Sequence, residues 1–179
     1  MAFSSTQGNI VQTVRKFKGN IFTTSSTSYV DITDLSLDIT PKFANSEILV
    51  SYSLGAAGTN QSNLDHGNTI RVMRRVGSSN SFSDVNQLNG SGDGSRQRIS
   101  MKGVGWAFNA DHMPGGVGMT GLDNPSYSVG DVLTYKLQVR AQDSSYIFVL
   151  NGNAGNDNTS NLYDGRSCSH LFLQEVGGS

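Results

Sequence analysis

Charge, cysteine, proline and long apolar runs are all scarce in this chain. Charged residues make up 15% of the 179 positions, with 13 Lys and Arg against 14 Asp and Glu, for a net charge of −1. There is no basic field for nucleic acid and no acidic tail for a cationic partner. Glu47 and Glu175 are the only glutamates. A glycosidase or polysaccharide lyase would therefore have to build its carboxylate pair from aspartates. Cys168 stands alone, which excludes an internal disulfide and leaves stability to packing or self-association. No stretch approaches the ~20 apolar residues of a membrane-spanning helix. Met1 to Gln7 is polar and no apolar segment follows, so no secretory leader is expected. These absences point to a soluble protein made in a reducing compartment, with neither nucleic acid nor membrane as partner.

The chain is rich instead in Gly, 21 in all, with Ser, Thr and Asn. Helices favour Glu, Lys, Ala and Leu, whereas strands and turns favour Val, Thr, Tyr, Gly and Asn. The clearest strand signal is Val132 to Gln142. Leu133, Tyr135, Leu137, Val139 and Ala141 alternate there with Thr134, Lys136, Gln138, Arg140 and Gln142. That period of two predicts a strand with one buried and one wet face, as in an antiparallel sheet.

The same alternation marks Glu47 to Leu54, Thr69 to Val76, Arg96 to Lys102 and Ser167 to Val176. Shorter strands are expected at Ile21-Phe22, from Tyr29 to Ile39 ahead of Pro41, and from Tyr146 to Leu150. Asn9 to Phe17 reads as a strand or an extended arm laid on a neighbour. Long polar loops are expected at Gly55 to Gly67, Gly77 to Ser95, Gly103 to Gly121 and Asn151 to Asp164. The expected fold is all-β: an antiparallel two-sheet β-sandwich of jelly-roll type, with long polar loops. Residues 1–18 would be an N-terminal arm and 19–179 one jelly-roll domain.

Several residue groups are candidates for chemistry. Gly116-Val117-Gly118-Met119-Thr120-Gly121 has the spacing of a dinucleotide loop, but no helix follows to receive a phosphate, so the match reads as chance. Cys168 and His170 share a strand face at a metal-compatible spacing. With Phe172 beside them and no second ligand pair, a buried Cys and a satisfied core His are expected. His66 and His112 read as loop residues. The loops around Asp93 and Asp157 are oxygen-rich but lack the spaced carboxylates of a calcium site. Arg71, Arg74 and Arg75 would supply an intersubunit ion pair or, more plainly, line a solvated edge. The sequons at Asn60, Asn89 and Asn158 are idle without a leader.

No catalytic residues, cofactor or metal are expected, and the chain does not read as an enzyme. Recognition would fall to loops on the rigid scaffold. The candidates are Trp106 and Phe108, whose rings can stack on a sugar or fill a neighbour's pocket, with core packing as the equal alternative, and Asn156 and Asp157. In the arm, Ile10, Val11, Val14 and Phe17 are the candidate anchors.

Several phrases carry a resemblance. They are Tyr29-Val30-Asp31-Ile32-Thr33-Asp34-Leu35, Ile39-Thr40-Pro41, Ser46-Glu47-Ile48-Leu49-Val50, Tyr135-Lys136-Leu137-Gln138-Val139-Arg140, Phe148-Val149-Leu150-Asn151 and Leu171-Phe172-Leu173-Gln174-Glu175-Val176. Together they resemble a β-rich domain of virion structural proteins from tailed phages, most like those of marine and cyanobacterial phages. The resemblance spans residues 20–176, although 77–121 contributes none of these phrases.

It implies a jelly roll, usually trimeric, exposed on the virion as a capsid decoration or fibre tip, with no catalytic residues. The function expected is a trimeric capsid decoration or cement protein, made in the host cytoplasm and anchored to the major capsid protein through residues 1–18. The alternative is a tail-fibre or tail-tip protein that binds a host surface glycan. No long fibre shaft precedes the domain here, which favours decoration.

Overall fold

The structure, a computed structural model, describes residues 8–59, 68–102, 115–153 and 165–177. These residues form strands and turns with no helix. The strands are β1 (Asn9–Lys18), β2 (Phe22–Thr24), β3 (Val30–Ile39), β4 (Glu47–Leu54), β5 (Ala57–Thr59), β6 (Thr69–Val76), β7 (Ser83–Asp84), β8 (Met101–Lys102), β9 (Val117–Asp123), β10 (Leu133–Arg140), β11 (Phe148–Leu150) and β12 (Ser169–Gly177). One sheet has the order β1-β12-β4-β9. The second runs β3-β10-β6-β7, with β8 also on β6, and a small third sheet is β2-β11-β5. Every pairing is antiparallel.

Alternation builds the core. Leu133, Tyr135, Leu137 and Val139 of β10 are fully buried, as are Ile70 and Val72 beside them on β6. From the first sheet, Ile48, Val50, Tyr52 and Leu54 of β4 and Leu171 and Leu173 of β12 join the same apolar cluster. Each such side chain contributes about 1.5–3 kcal/mol on burial. The result is a sandwich-like all-β fold whose two larger sheets share one core.

The segment after β6 feeds this core too. Val85 and Leu88, an apolar island in a polar stretch, are buried there. Asn89 behaves as a piece of missing strand: its side chain accepts from Val72 N at 3.0 Å and donates to Val72 O at 2.8 Å. Buried Asn151 ties three elements together. It donates to Lys18 O at 3.0 Å and accepts from Ser169 Oγ at 2.6 Å, while its own N–H bonds Ala56 O.

Several expectations change. Of the two readings of Asn9 to Phe17, strand or arm on a neighbour, the structure has the strand: it is β1, an edge strand paired with β12 from Asn9↔Gly177 to Lys18↔Ser169. It lies on its own chain because Val14 packs on the core and Gln12 and Lys18 find partners there. The stretch Gly103 to Gly121, expected as loop, ends in β9. Two of its glycines are packing requirements: a Cβ at Gly118 would lie 2.7 Å from Tyr52 O, and one at Gly121 2.6 Å from Leu88 Cδ2. The dinucleotide-like spacing thus falls largely on β9, an extended strand. Of Arg96 to Lys102, only Met101 and Lys102 are strand.

Candidate binding site

Residues with no apolar partner inside a sandwich face outward, and the two large sheets present different outer faces. On the second sheet, β10 turns Lys136, Gln138 and Arg140 outward, and register places Arg71 opposite Gln138 and Asp31 opposite Gln138 on the other side. Asp31 accepts from Lys136 Nζ at 2.8 Å and Gln138 Nε2 at 2.7 Å. Burial alone would raise its pKa, but these bonds and the charges of Lys136 and Arg71 hold it below the ordinary aspartate value. Phe82 crosses this face, with Lys136 Nζ 3.8 Å and the Arg75 guanidinium 4.8 Å from its ring centre.

Next to that face is a cleft of about 540 Å³, bounded by Thr27, Ser28 and Tyr29 before β3, Arg71 on β6, Asp84 on β7, Gln97 and Arg98 in the following loop, and Arg140 at the end of β10. Its volume falls in the range of small-molecule sites, about 300–1,000 Å³. The Arg71 guanidinium stacks 3.8 Å from the Tyr29 ring centre, and that of Arg140 lies 5.7 Å from it. Tyr29 is held by a 3.1 Å hydrogen bond between its OH and Thr69 Oγ1. Arg71 Nε donates to Gln138 Oε1 at 2.9 Å. Arg71 Nη1 stands 3.9 Å from Asp84 Oδ1, an ion pair too long for a hydrogen bond. Arg98 donates to the neutral side chain of Asn86. Arg140 finds no acceptor among the described residues, and its Nε is buried.

The arginines expected to act together are divided by alternation. Arg74 points inward and pairs with Asp123 at 2.6 Å within the chain, not across subunits. Arg71 and Arg75 point outward, to Tyr29 and Phe82.

The outer face of the first sheet is nearly uncharged. Antiparallel register groups Phe17 with His170, Arg15 with Phe172, Leu49 with Gln174 and Leu122 with Leu49. Ile10, Phe17 and Leu122 are 59%, 57% and 42% exposed. His170 stacks on Phe172 with ring centres 5.7 Å apart and lies 5.4 Å from Phe17. Cys168, expected to be buried, is exposed, because β12 turns Ser169, Leu171, Leu173 and Glu175 inward instead. Its Sγ is 3.5 Å from His170 Nε2. No group of three or more His, Cys, Asp or Glu side chains able to hold a metal occurs among the described residues.

Trp106, Phe108, Asn156 and Asp157 lie outside the described residues. Of the four arm candidates, Ile10 and Phe17 face outward, Val14 packs on the core, and Val11 sits at the register shift between Ile10 and Gln12. The cleft residues escaped sequence reading because they come from five separated positions and form no motif. Only Arg71, as one of three clustered arginines, and Arg140, as a wet-face residue of β10, stood out singly.

No protein-family model matches the chain, and a search of the curated proteins finds no match. Sequence pattern and geometry are what bear on function: a nearly uncharged sheet face with exposed aromatic and aliphatic side chains, and an arginine-lined cleft.

Proposed function

We propose that the chain is a virion structural protein of a tailed phage, a jelly roll that assembles as a homotrimer and decorates the capsid surface. The strand phrases of the phage domain recur at β3, β4, β10, β11 and β12. Strand pairing supports the jelly-roll assignment. β1 pairs β12, β3 pairs β10, β4 pairs β9 and β6 pairs β7. This nested scheme, outermost strands together and innermost together, is what one long hairpin gives when rolled into two sheets.

The observation that carries the assembly role is the outer face of β1-β12-β4-β9. Arg15 on the edge strand and Glu47 at one end of β4 are its charged residues. The rest of the face is Phe17, His170, Phe172, Leu49 and Leu122 with Ser51, Thr120 and Gln174. Few charges must be dehydrated to cover such a surface, and exposed aromatics supply the anchors of an interface. Its occupant is a second copy of this chain. β1 lies at the open edge of the same sheet, so contact across the edge would also cover unpaired backbone groups.

Sedimentation equilibrium of the full chain at micromolar concentration tests the reading, with a trimer expected. Phe17→Asp and Leu122→Glu should each give a monomer with unchanged circular dichroism. A monomeric wild type, or variants that remain trimeric, would overturn the assembly face. Immunogold labelling of purified virions separates the second part: label on the capsid is expected, and its absence from every virion surface would remove the virion role.

A further inference from the structure

We propose that the cleft between Tyr29, Arg71 and Arg140 is a binding site for the acidic group of a small saccharide. The site lies on the second sheet, away from the assembly face, and the inference does not depend on the virion reading. Three guanidinium groups, those of Arg71, Arg98 and Arg140, border one cleft, against a single carboxylate, Asp84. Neighbouring arginines repel unless an anion lies between them. Asp84 fills that role poorly, at 3.9 Å from Arg71 and already accepting from Asn89 Nδ2 at 3.1 Å.

Arg140 Nε is buried without a hydrogen-bond partner among the described residues, and the Tyr29 ring centre lies 5.7 Å from its guanidinium. A partly buried arginine without an acceptor carries a desolvation cost that an oxyanion removes. The arginine closest to the ring is held in place before any ligand arrives: Gln138 binds Arg71 Nε and the Tyr29 ring stacks on its plane, leaving the Nη groups as a fork for two oxygens.

The remaining lining decides the ligand class. Thr27 and Ser28 offer hydroxyls and Gln97 an amide, groups that match sugar hydroxyls. Small-molecule sites are mostly apolar, and this one is not, which argues against a hydrophobic acid. The Tyr29 face already carries Arg71, so a nucleobase would find no free ring on which to stack.

Titration calorimetry of the full chain at low salt is the test, with glucuronic acid, N-acetylneuraminic acid and galactose 6-sulfate as probes, and neutral galactose and inorganic sulfate as controls. At least one acidic sugar should bind at millimolar or better, weaken as salt is raised, and exceed both controls by about tenfold or more. Comparison of the carboxylated with the sulfated sugars distinguishes the source of the anion. Arg140→Gln should lose about tenfold in affinity with an unchanged melting temperature. Tyr29→Leu, which removes the stacking plane while keeping every arginine, should weaken binding less than Arg140→Gln does. No binding of any acidic sugar, binding no tighter than that of inorganic sulfate, or full affinity in Arg140→Gln would each overturn the proposal.

Discussion

Glu175 is the residue whose environment differs most from its appearance in the sequence. A glutamate near the end of β12, it shares the face of Leu171 and Leu173 and is fully buried. Its carboxylate accepts from the N–H groups of Lys42 and Phe43 at 2.9 and 3.1 Å, from Ser46 Oγ at 2.9 Å and from Gln12 Nε2 at 2.7 Å. One side chain thus closes the β3–β4 turn and fastens β1 to it. Burial alone would raise its pKa, but the donated bonds outweigh burial and hold it below 4.5. A depressed folded pKa means that the carboxylate stabilises the fold above the unfolded value. That contribution fades as pH falls from about 4.5 through the folded pKa. Glu175→Gln should cost roughly 1–3 kcal/mol at pH 7. Urea denaturation at pH 7 and pH 3.5 checks this: the gap between wild type and variant should narrow at the lower pH. An equal gap at both would remove the charge from the explanation. Period two identified which residues of β12 share a face, but not which face is buried. Phe172 suggested one answer, while Leu171 and Leu173, with Glu175 beside them, give the other.

At the level of elements, the two large sheets are joined by a polar staple across the core. Arg74 of β6 places Nη1 2.7 and 2.6 Å from the two carboxylate oxygens of Asp123 on β9, and Tyr135 OH of β10 donates to Asp123 Oδ2 at 2.7 Å. Burial, reinforced by the Asp123 charge, pushes the Tyr135 pKa well up, so the phenol remains a donor at all working pH. Removing one partner of a buried pair strands the other, so Asp123→Ala should cost about 3–5 kcal/mol. Tyr135→Phe, which leaves the ion pair intact, should cost about 1–2 kcal/mol. Arg74→Met in the Asp123→Ala background should recover part of the loss, because it removes the stranded charge. Denaturant titration of the three variants measures the order; a double variant weaker than Asp123→Ala would contradict it. Alternation did reveal β4, β6 and β10, whose core residues repeat without a break. It did not reveal β9, because Gly118 and Gly121 replace side chains where the strand meets Tyr52 and Leu88. Without β9 in view, Asp123 could not be matched to Arg74.

For the whole molecule, the position of β1 decides how attachment can be tested. As a free arm, residues 1–18 could be cut away without harm to the domain. Residues 9–18 are an edge strand, and they cannot. Loss of residues 1–18 removes one of the two strands that flank β12, uncovers the core at Val14 and takes away Gln12 from Glu175. It also deletes buried Lys18, whose Nζ bonds Asn20 Oδ1 at 2.7 Å and whose carbonyl receives Asn151. The sum is roughly 5 kcal/mol or more. At about 2–4 °C per kcal/mol for a chain of this size, the melting temperature should fall by about 10–20 °C. Deletion of residues 1–7 leaves β1 whole and is the variant in which particle attachment can be read apart from folding. Differential scanning calorimetry of the two truncations makes the comparison. If the 18-residue deletion melts with the full chain, β1 is dispensable and an arm is the better description. If it melts as far below as expected, any loss of particle binding in that variant reports a damaged fold. Attachment is then read from the 1–7 deletion, and Phe17→Asp and Leu122→Glu, which leave the strand pairing in place, report how far attachment depends on trimer assembly.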